Sequence, residues 1–162
     1  MSVILKAQLD GLNQQLVVRW AADCAEAVLP VWVAVFPYDT RPADAVAAAR
    51  AWCDNPCSIT ADVAQVAGYA ARDAAACRIS ALSAATAATA AWYAAHAAFA
   101  VGYDSWASYA AGHAGTFGFC DPVGLLLDRL TPDTDHTIIR QLLADGWVVI
   151  DAIDAATLLD VI

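Results

Sequence analysis

Residues 79–103 read ISALSAATAATAAWYAAHAAFAVGY, and no formally charged side chain interrupts them. So long an uncharged stretch either spans a membrane or is buried in protein, because about 20 residues at about 1.5 Å each cross a hydrocarbon core. Leu, Ile and Phe, which insert strongly into membranes, are scarce here, and His96 would lie deep in the lipid at a substantial cost. The composition therefore favours burial in protein over a membrane span.

Alanine dominates this stretch, and it is the best helix former because it loses almost no side-chain entropy. Its small side chain lets neighbouring helices approach on several sides. We expect a long central helix over about 79–103, surrounded by other helices. The predicted fold class is all-α, a single-domain helical bundle with short C-terminal helices.

The length and composition agree with one domain. A chain of 162 residues buries a substantial core without dividing, so we predict a single domain over 1–162. Within this domain, residues 121–162 form an acidic C-terminal segment. The hydrophobic fraction of 60% and the mean hydropathy of +0.52 come largely from alanine, which buries little area per residue. Close helix packing is expected to compensate.

The formal net charge of −9 is placed unevenly. Such a charge argues against direct binding to nucleic acid or to an anionic membrane, and it favours a basic protein partner. From Asp121 onward there are eight Asp and two Arg, a net of −6. This segment is either a solvated face that keeps the chain soluble or an acidic docking surface. The predicted docking carboxylates are Asp121, Asp133, Asp135, Asp145, Asp151 and Asp154.

The first residues, MSVILKAQLDGL, lack the basic, apolar and small-residue regions of a secretory signal. The five cysteines are an odd number without the pattern of a small disulfide scaffold. Both observations predict a cytoplasmic protein with free thiols.

Helical spacing and breaks predict the helices before the central stretch. The first begins after an Asn13 cap, and Pro30 should kink or divide it. The second covers about 41–53, with Asp39 or Thr40 as its cap and Pro42 in its first turn. The third runs towards Cys77 from a cap at residue 58 or 60.

Further helices are predicted after the central stretch. Asp104 and Ser105 can cap a helix over about 106–114. Short helices follow over about 123–130, 138–144 and 154–159, while residues 147–150 have β-type composition without a second strand to pair with.

One pattern in the first two helices resembles a known family. It is carried by WAADCAEAVLP at 20–30, DTRP at 39–42 and AARAW at 48–52. These residues resemble the Imm5-like group of immunity proteins of bacterial polymorphic toxin systems. The resemblance extends more loosely to His96 and His113, over roughly 16–115. It implies a small α-helical protein that binds and neutralises a cognate toxin. The third and fourth helices carry fewer Arg, Glu and His residues than is usual in the group. This difference suggests adaptation to a different target.

The motif residues are Trp20, Asp23, Cys24, Glu26, Pro30, Asp39, Arg41, Pro42, Arg50 and Trp52. A short connection makes the first two helices antiparallel neighbours, so the two carboxylates of the first helix can pair with the two arginines of the second. Such pairing is a structural ion-pair network, a binding surface or part of a catalytic site. The first of these is the usual role.

Three other residue groups have alternative interpretations. His96 and His113 can join a carboxylate in a metal or acid–base site, or they are neutral core histidines. Cys53 and Cys57 straddle a helix break without a second ligand pair, so we predict no metal and no cofactor. Standard catalytic and nucleotide-binding motifs are absent from the sequence.

The tryptophans divide into two groups by their sequence neighbours. Trp20, Trp32 and Trp52 fit core packing. Trp106 and Trp147 lie beside Asp and Gly near predicted helix ends, where an aromatic side chain either anchors an interface or packs in the core.

Together these features predict a non-enzymatic inhibitory protein that binds a basic toxin or nuclease effector. Acidic residues would steer the partner, and aromatic residues would form the buried contact. The alternatives are an anti-defence protein of a phage that covers a nucleic-acid channel, a metal-binding protein or enzyme centred on His96 and His113, and a module that self-associates through its Ala-rich faces.

Overall fold

The computed structural model describes residues 14–77, 81–100, 103–116, 120, 122, 124 and 125. Five helices account for most of these residues: α1 (Gln14–Val35), α2 (Arg41–Asp54), α3 (Ser58–Ala76), α4 (Leu82–Ala97) and α5 (Tyr103–Gly115). The described part of the chain contains no strand, and the predicted all-α fold class is confirmed.

Helix α4 is the axis of the bundle, as the uncharged stretch predicts. It packs against each of the other four helices. Its alanines are buried on both sides, and those with 2% exposure or less are Ala84, Ala87, Ala88, Ala90, Ala91, Ala94, Ala95 and Ala97. The helix is shorter than predicted, because it ends at Ala97 with Ala98 as its C-cap, and residues 98–100 form a turn and a bend.

Helix α3 approaches α4 especially closely at Gly68. A Cβ atom placed on Gly68 would lie 3.2 Å from the Cβ of Ala95 and 3.6 Å from Cδ1 of Trp92. A side chain there would require the neighbouring helix to shift. The small residues of α3 and α4 therefore set the distance between these two helices.

Helix α1 contributes the largest core side chains. Trp20 and Trp32 are at most 1% exposed, and Trp52 on α2 is 7% exposed, so the predicted core packing of all three is confirmed. Pro30 does not divide α1, contrary to one of the two predicted outcomes, because the helix continues through it to Val35. Pro30 lies on the exposed side, where water can hydrogen-bond the carbonyl group that the proline leaves free.

The start of α2 agrees with its predicted cap. Thr40 occupies the N-cap position without a side-chain bond to the backbone, and its hydroxyl donates to Asp44 instead. The carboxylate of Asp39 accepts a hydrogen bond from the backbone N–H of Arg41 at 3.3 Å. Pro42 lies in the first turn, where its missing N–H costs nothing.

The caps predicted for α3 and α5 are wrong by one to three residues. Cys57, not residue 58 or 60, is the N-cap of α3, and Thr60 accepts a hydrogen bond from the backbone N–H of Cys57 at 3.2 Å. One of the two predicted caps, Thr60, is the N3 residue of this capping box and the partner of the true cap. Helix α5 already includes Tyr103, which precedes the cap predicted at 104–105.

Several predicted elements lie outside the described residues. These are the Asn13 cap, nearly all of the three short C-terminal helices and the β-type stretch at 147–150. Residues 122, 124 and 125 are helical, and the carbonyl of Pro122 accepts a hydrogen bond from Trp20 Nε1 at 2.7 Å. None of the described helices is both long and apolar enough to span a bilayer.

Candidate functional site

Arg50 joins α2 to α1 through two carboxylates. Its guanidinium nitrogen Nη2 lies 2.8 Å from Asp23 Oδ1 and also bonds Glu26. Asp23 and Glu26 are three residues apart on α1, so one guanidinium can reach both. The pairing predicted for Arg50 is confirmed.

Arg41 does not join this pair of carboxylates, contrary to the prediction. It forms a two-point contact with Asp39, with distances of 2.8 Å from Nε and 2.6 Å from Nη2 to the carboxylate oxygens. The hydrogen bond to Asp39 raises the pKa of Arg41. Asp39 lies only two residues before Arg41. An ion pair between them requires no long-range packing, whereas a pair with the carboxylates of α1 would require it.

The second feature is a group of aromatic side chains. They come from three helices, α3, α4 and α5, and from the turn that follows α4. We call this group the aromatic cluster, and it consists of Tyr69, Trp92, Tyr93, His96, Phe99, Trp106, Tyr109 and His113. Trp92 stacks on Tyr93 with ring centroids 4.3 Å apart, and Tyr93 in turn stacks on Trp106 at 5.6 Å. Ring contacts of this kind stabilise the cluster beyond the area that they bury.

The cluster keeps part of its surface open to solvent. Tyr109 is 49% exposed and Tyr69 is 37% exposed, while the other members are partly buried. The guanidinium of Arg72 lies 4.8 Å from the centre of the Tyr69 ring and 6.0 Å from that of Trp92, which places a cation over the π faces. The cluster is therefore closely packed, aromatic and accessible at one edge.

Both predicted histidines belong to the aromatic cluster. His96 packs edge-on against Trp106 with centroids 4.2 Å apart, and His113 stacks on Tyr93 at 5.3 Å. Burial lowers the pKa of each imidazole below its ordinary value. Nδ1 of His96 is buried and has no hydrogen-bond partner among the described residues, so protonation there gains no acceptor. These contacts favour neutral histidines held by ring packing.

The stability of the fold should fall as the pH is lowered through the ordinary range of histidine. Because burial lowers the pKa of His96 and His113 in the folded chain, the unfolded chain binds more protons below about pH 6.5. Urea unfolding between pH 8 and about pH 5 measures the effect. A variant with His96→Gln and His113→Gln should show a weaker pH dependence in this range, and an unchanged dependence would contradict the assignment.

The described residues contain no candidate metal centre that would support the metal-binding alternative. No group of three or more His, Cys, Asp or Glu side chains lies close enough there to hold a metal ion. The two histidines contact the aromatic rings of Tyr93 and Trp106, and Cys57 forms a hydrogen bond with Thr60 in the cap of α3. The hydrogen bond from Thr60 lowers the pKa of the Cys57 thiol.

The structure places only one of the predicted docking residues. Trp106 lies half-buried in the aromatic cluster. Asp121, Asp133, Asp135, Asp145, Trp147, Asp151 and Asp154 lie outside the described residues, so their role stays a prediction.

The comparisons with known proteins give one match. The family profile described as "Imm-5 like putative immunity protein" matches residues 7–114, which include the α1–α2 ion pairs and the whole aromatic cluster. The chain belongs to this family. The match covers both the Trp20–Trp52 motif and the two histidines of the sequence resemblance. No curated protein and no solved structure matches the chain.

Sequence reasoning about this immunity-family chain missed five members of the aromatic cluster. They are Tyr69, Trp92, Tyr93, Phe99 and Tyr109. A signal was present, because rings recur at three- and four-residue spacing within α4 and again within α5, which places them on one side of each helix. Only the packing of α5 against α4 shows that the two sets meet.

Proposed function

We propose that this chain is an immunity protein that neutralises a protein toxin by binding it stoichiometrically, without chemistry of its own. The partly exposed aromatic cluster carries the proposal. Tyr and Trp are enriched at the centres of protein interfaces because they bury much area for little loss of conformational entropy. Membership of an immunity-protein family supports a toxin as the partner class.

The charge of the chain supports a basic partner. A net charge of −9 raises the rate of encounter with a positively charged surface, and the nucleic-acid-binding face of a nuclease toxin is such a surface. Carboxylates of the C-terminal segment would then occupy the positions on the toxin surface at which nucleic-acid phosphates bind. The aromatic cluster would supply the buried contact and the acidic residues the steering.

The test is complex formation with the toxin encoded by the adjacent gene. Coexpression should protect the host cell, and the purified proteins should form a stable complex with one immunity chain for each toxin chain. The association rate should fall about tenfold or more between low and high salt, because screening weakens long-range attraction. Stopped-flow mixing measures this rate, and an immunity protein of unrelated specificity serves as the control.

Two results would contradict the proposal. Failure of the two proteins to associate would remove toxin binding. A complex whose association rate is constant across salt concentrations would retain toxin binding but remove the acidic steering.

A further inference from the structure

Arg72 places a cation at the accessible edge of the aromatic cluster, and two helices hold it there. Tyr69 lies three residues before Arg72 on α3, so the two side chains share a face of the helix. Gly68 has no side chain, and the Trp92 ring of α4 approaches α3 at this position. The Arg72 guanidinium therefore lies over two rings, 4.8 Å from the centre of Tyr69 and 6.0 Å from that of Trp92.

Arg72 differs from the other arginines in the described part of the chain. Those pair with carboxylates of α1, α2 or the turn between them, and they are Arg19, Arg41 and Arg50. The ion pair of Arg72 is with Asp73, the next residue of the same helix, so it joins no two elements. The two side chains are 47% and 61% exposed, and ion pairs at such exposed positions contribute little to stability. A partner can therefore displace Asp73 at little cost.

The guanidinium of Arg72 keeps hydrogen-bonding capacity for a partner. Its Nε and Nη2 both donate to one atom, Asp73 Oδ1, at 3.2 and 3.1 Å. In the pair between Arg41 and Asp39, by contrast, each carboxylate oxygen accepts its own hydrogen bond. Nη1 of Arg72 makes no hydrogen bond with a described residue. A carboxylate on a partner can thus bind Arg72 through both oxygens, which is the geometry that arginine favours.

The two rings also prepare Arg72 for binding. A guanidinium that lies on aromatic faces loses less conformational freedom when a partner binds than an arginine that extends into water. Exclusion of water by the partner strengthens the attraction between the guanidinium and the rings. Arg, Tyr and Trp are the residue types enriched among those that contribute most to protein–protein binding. Arg72, Tyr69 and Trp92 together have this composition.

We infer that Arg72 determines specificity in the toxin complex by binding the carboxylate of an Asp or Glu side chain on the toxin. This contact rests on the proposed function, because it lies within the aromatic surface that is proposed to bind the toxin. It gives an acidic group a point of attraction on a chain whose net charge of −9 otherwise repels one. A basic toxin surface that carries a carboxylate opposite Arg72 is therefore bound in preference to a uniformly basic one.

Arg72→Gln tests the contact in the complex with the toxin encoded by the adjacent gene. The dissociation constant should rise about tenfold or more, mainly because the complex dissociates faster. Arg19→Gln is the matched control, since it also removes one positive charge from an exposed ion pair and changes the net charge from −9 to −10. The control should leave the dissociation constant unchanged. Isothermal titration and stopped-flow mixing measure binding, and circular dichroism checks that both variants are folded.

Two further variants separate a carboxylate contact from a role in packing over Trp92. Arg72→Glu should weaken the complex about tenfold more than Arg72→Gln does, because two carboxylates would then face each other. Arg72→Lys keeps the charge but loses the planar guanidinium, so its affinity should lie between those of the unaltered chain and Arg72→Gln. If Arg72 only covered the Trp92 ring, the Gln and Glu variants would weaken the complex equally.

The possible failures of this inference and of the proposed function are distinct. Normal binding by Arg72→Gln overturns the Arg72 contact, as does equal weakening by Arg19→Gln. A complex of Arg72→Glu that is no weaker than that of Arg72→Gln overturns the carboxylate as its partner. A toxin that does not bind the unaltered chain overturns the proposed function, and the Arg72 contact with it.

Discussion

Trp20→Ala is expected to lower the free energy of unfolding by about 3–5 kcal/mol, since truncation of a buried tryptophan leaves a large cavity. Trp20 has no exposed surface, and its indole nitrogen donates to the carbonyl of Pro122 at 2.7 Å. Typical domains are stable by about 5–15 kcal/mol, so this single change removes a large fraction of the total. Urea unfolding followed by circular dichroism measures the loss.

Two further variants separate the cavity from the hydrogen bond. Trp20→Phe retains an aromatic ring but leaves the Pro122 carbonyl unpaired, and it should cost about 1–3 kcal/mol. Tyr38→Ala is the surface control, because Tyr38 is 98% exposed and its removal should change stability by less than about 0.5 kcal/mol. A loss for Trp20→Ala no larger than that of Tyr38→Ala would show that Trp20 does not organise the core.

The central helix was predictable because burying a charged side chain costs free energy, so a long stretch without charges can be recognised in the sequence as part of the core. A stretch of this length without a charged residue is excluded from the surface of a bundle, and alanine allows four helices to approach it. The end of α4 was not predictable in this way. Phe99 and Ala100 continue the apolar pattern, yet they lie in turns, because the position at which a helix ends depends on what its last residues pack against.

The candidate site likewise combines features that can be predicted from the sequence with features that depend on three-dimensional packing. The pairing of Arg50 followed from two antiparallel helices, whereas Arg41 found a carboxylate in its own turn. For the aromatic cluster, the spacing of rings within α4 and within α5 is visible in the sequence. Their meeting depends on how α5 folds back, and that contact joins residues such as Tyr93 and His113 only in three dimensions.

Trp106→Ala is expected to weaken the complex with the toxin by about 2 kcal/mol or more, which is about a thirtyfold increase in the dissociation constant. The Trp106 ring lies between His96, at 4.2 Å, and Tyr109, at 6.0 Å, and it stacks on Tyr93. These neighbours hold the ring in place before binding, so the partner gains apolar contact without ordering a mobile side chain. Isothermal titration with the purified toxin measures the change.

Tyr109→Ala separates binding from folding, because Trp106 also contributes to the packing of α5 on α4. Tyr109 is half-exposed, so its removal should leave the unfolding curve nearly unchanged while weakening the complex about tenfold. Tyr38→Ala again provides an exposed aromatic control, on the turn between α1 and α2 and outside the cluster, and it should bind as the unaltered chain does. If Tyr38→Ala weakens the complex and both cluster variants bind normally, the toxin contacts the α1–α2 end of the bundle instead.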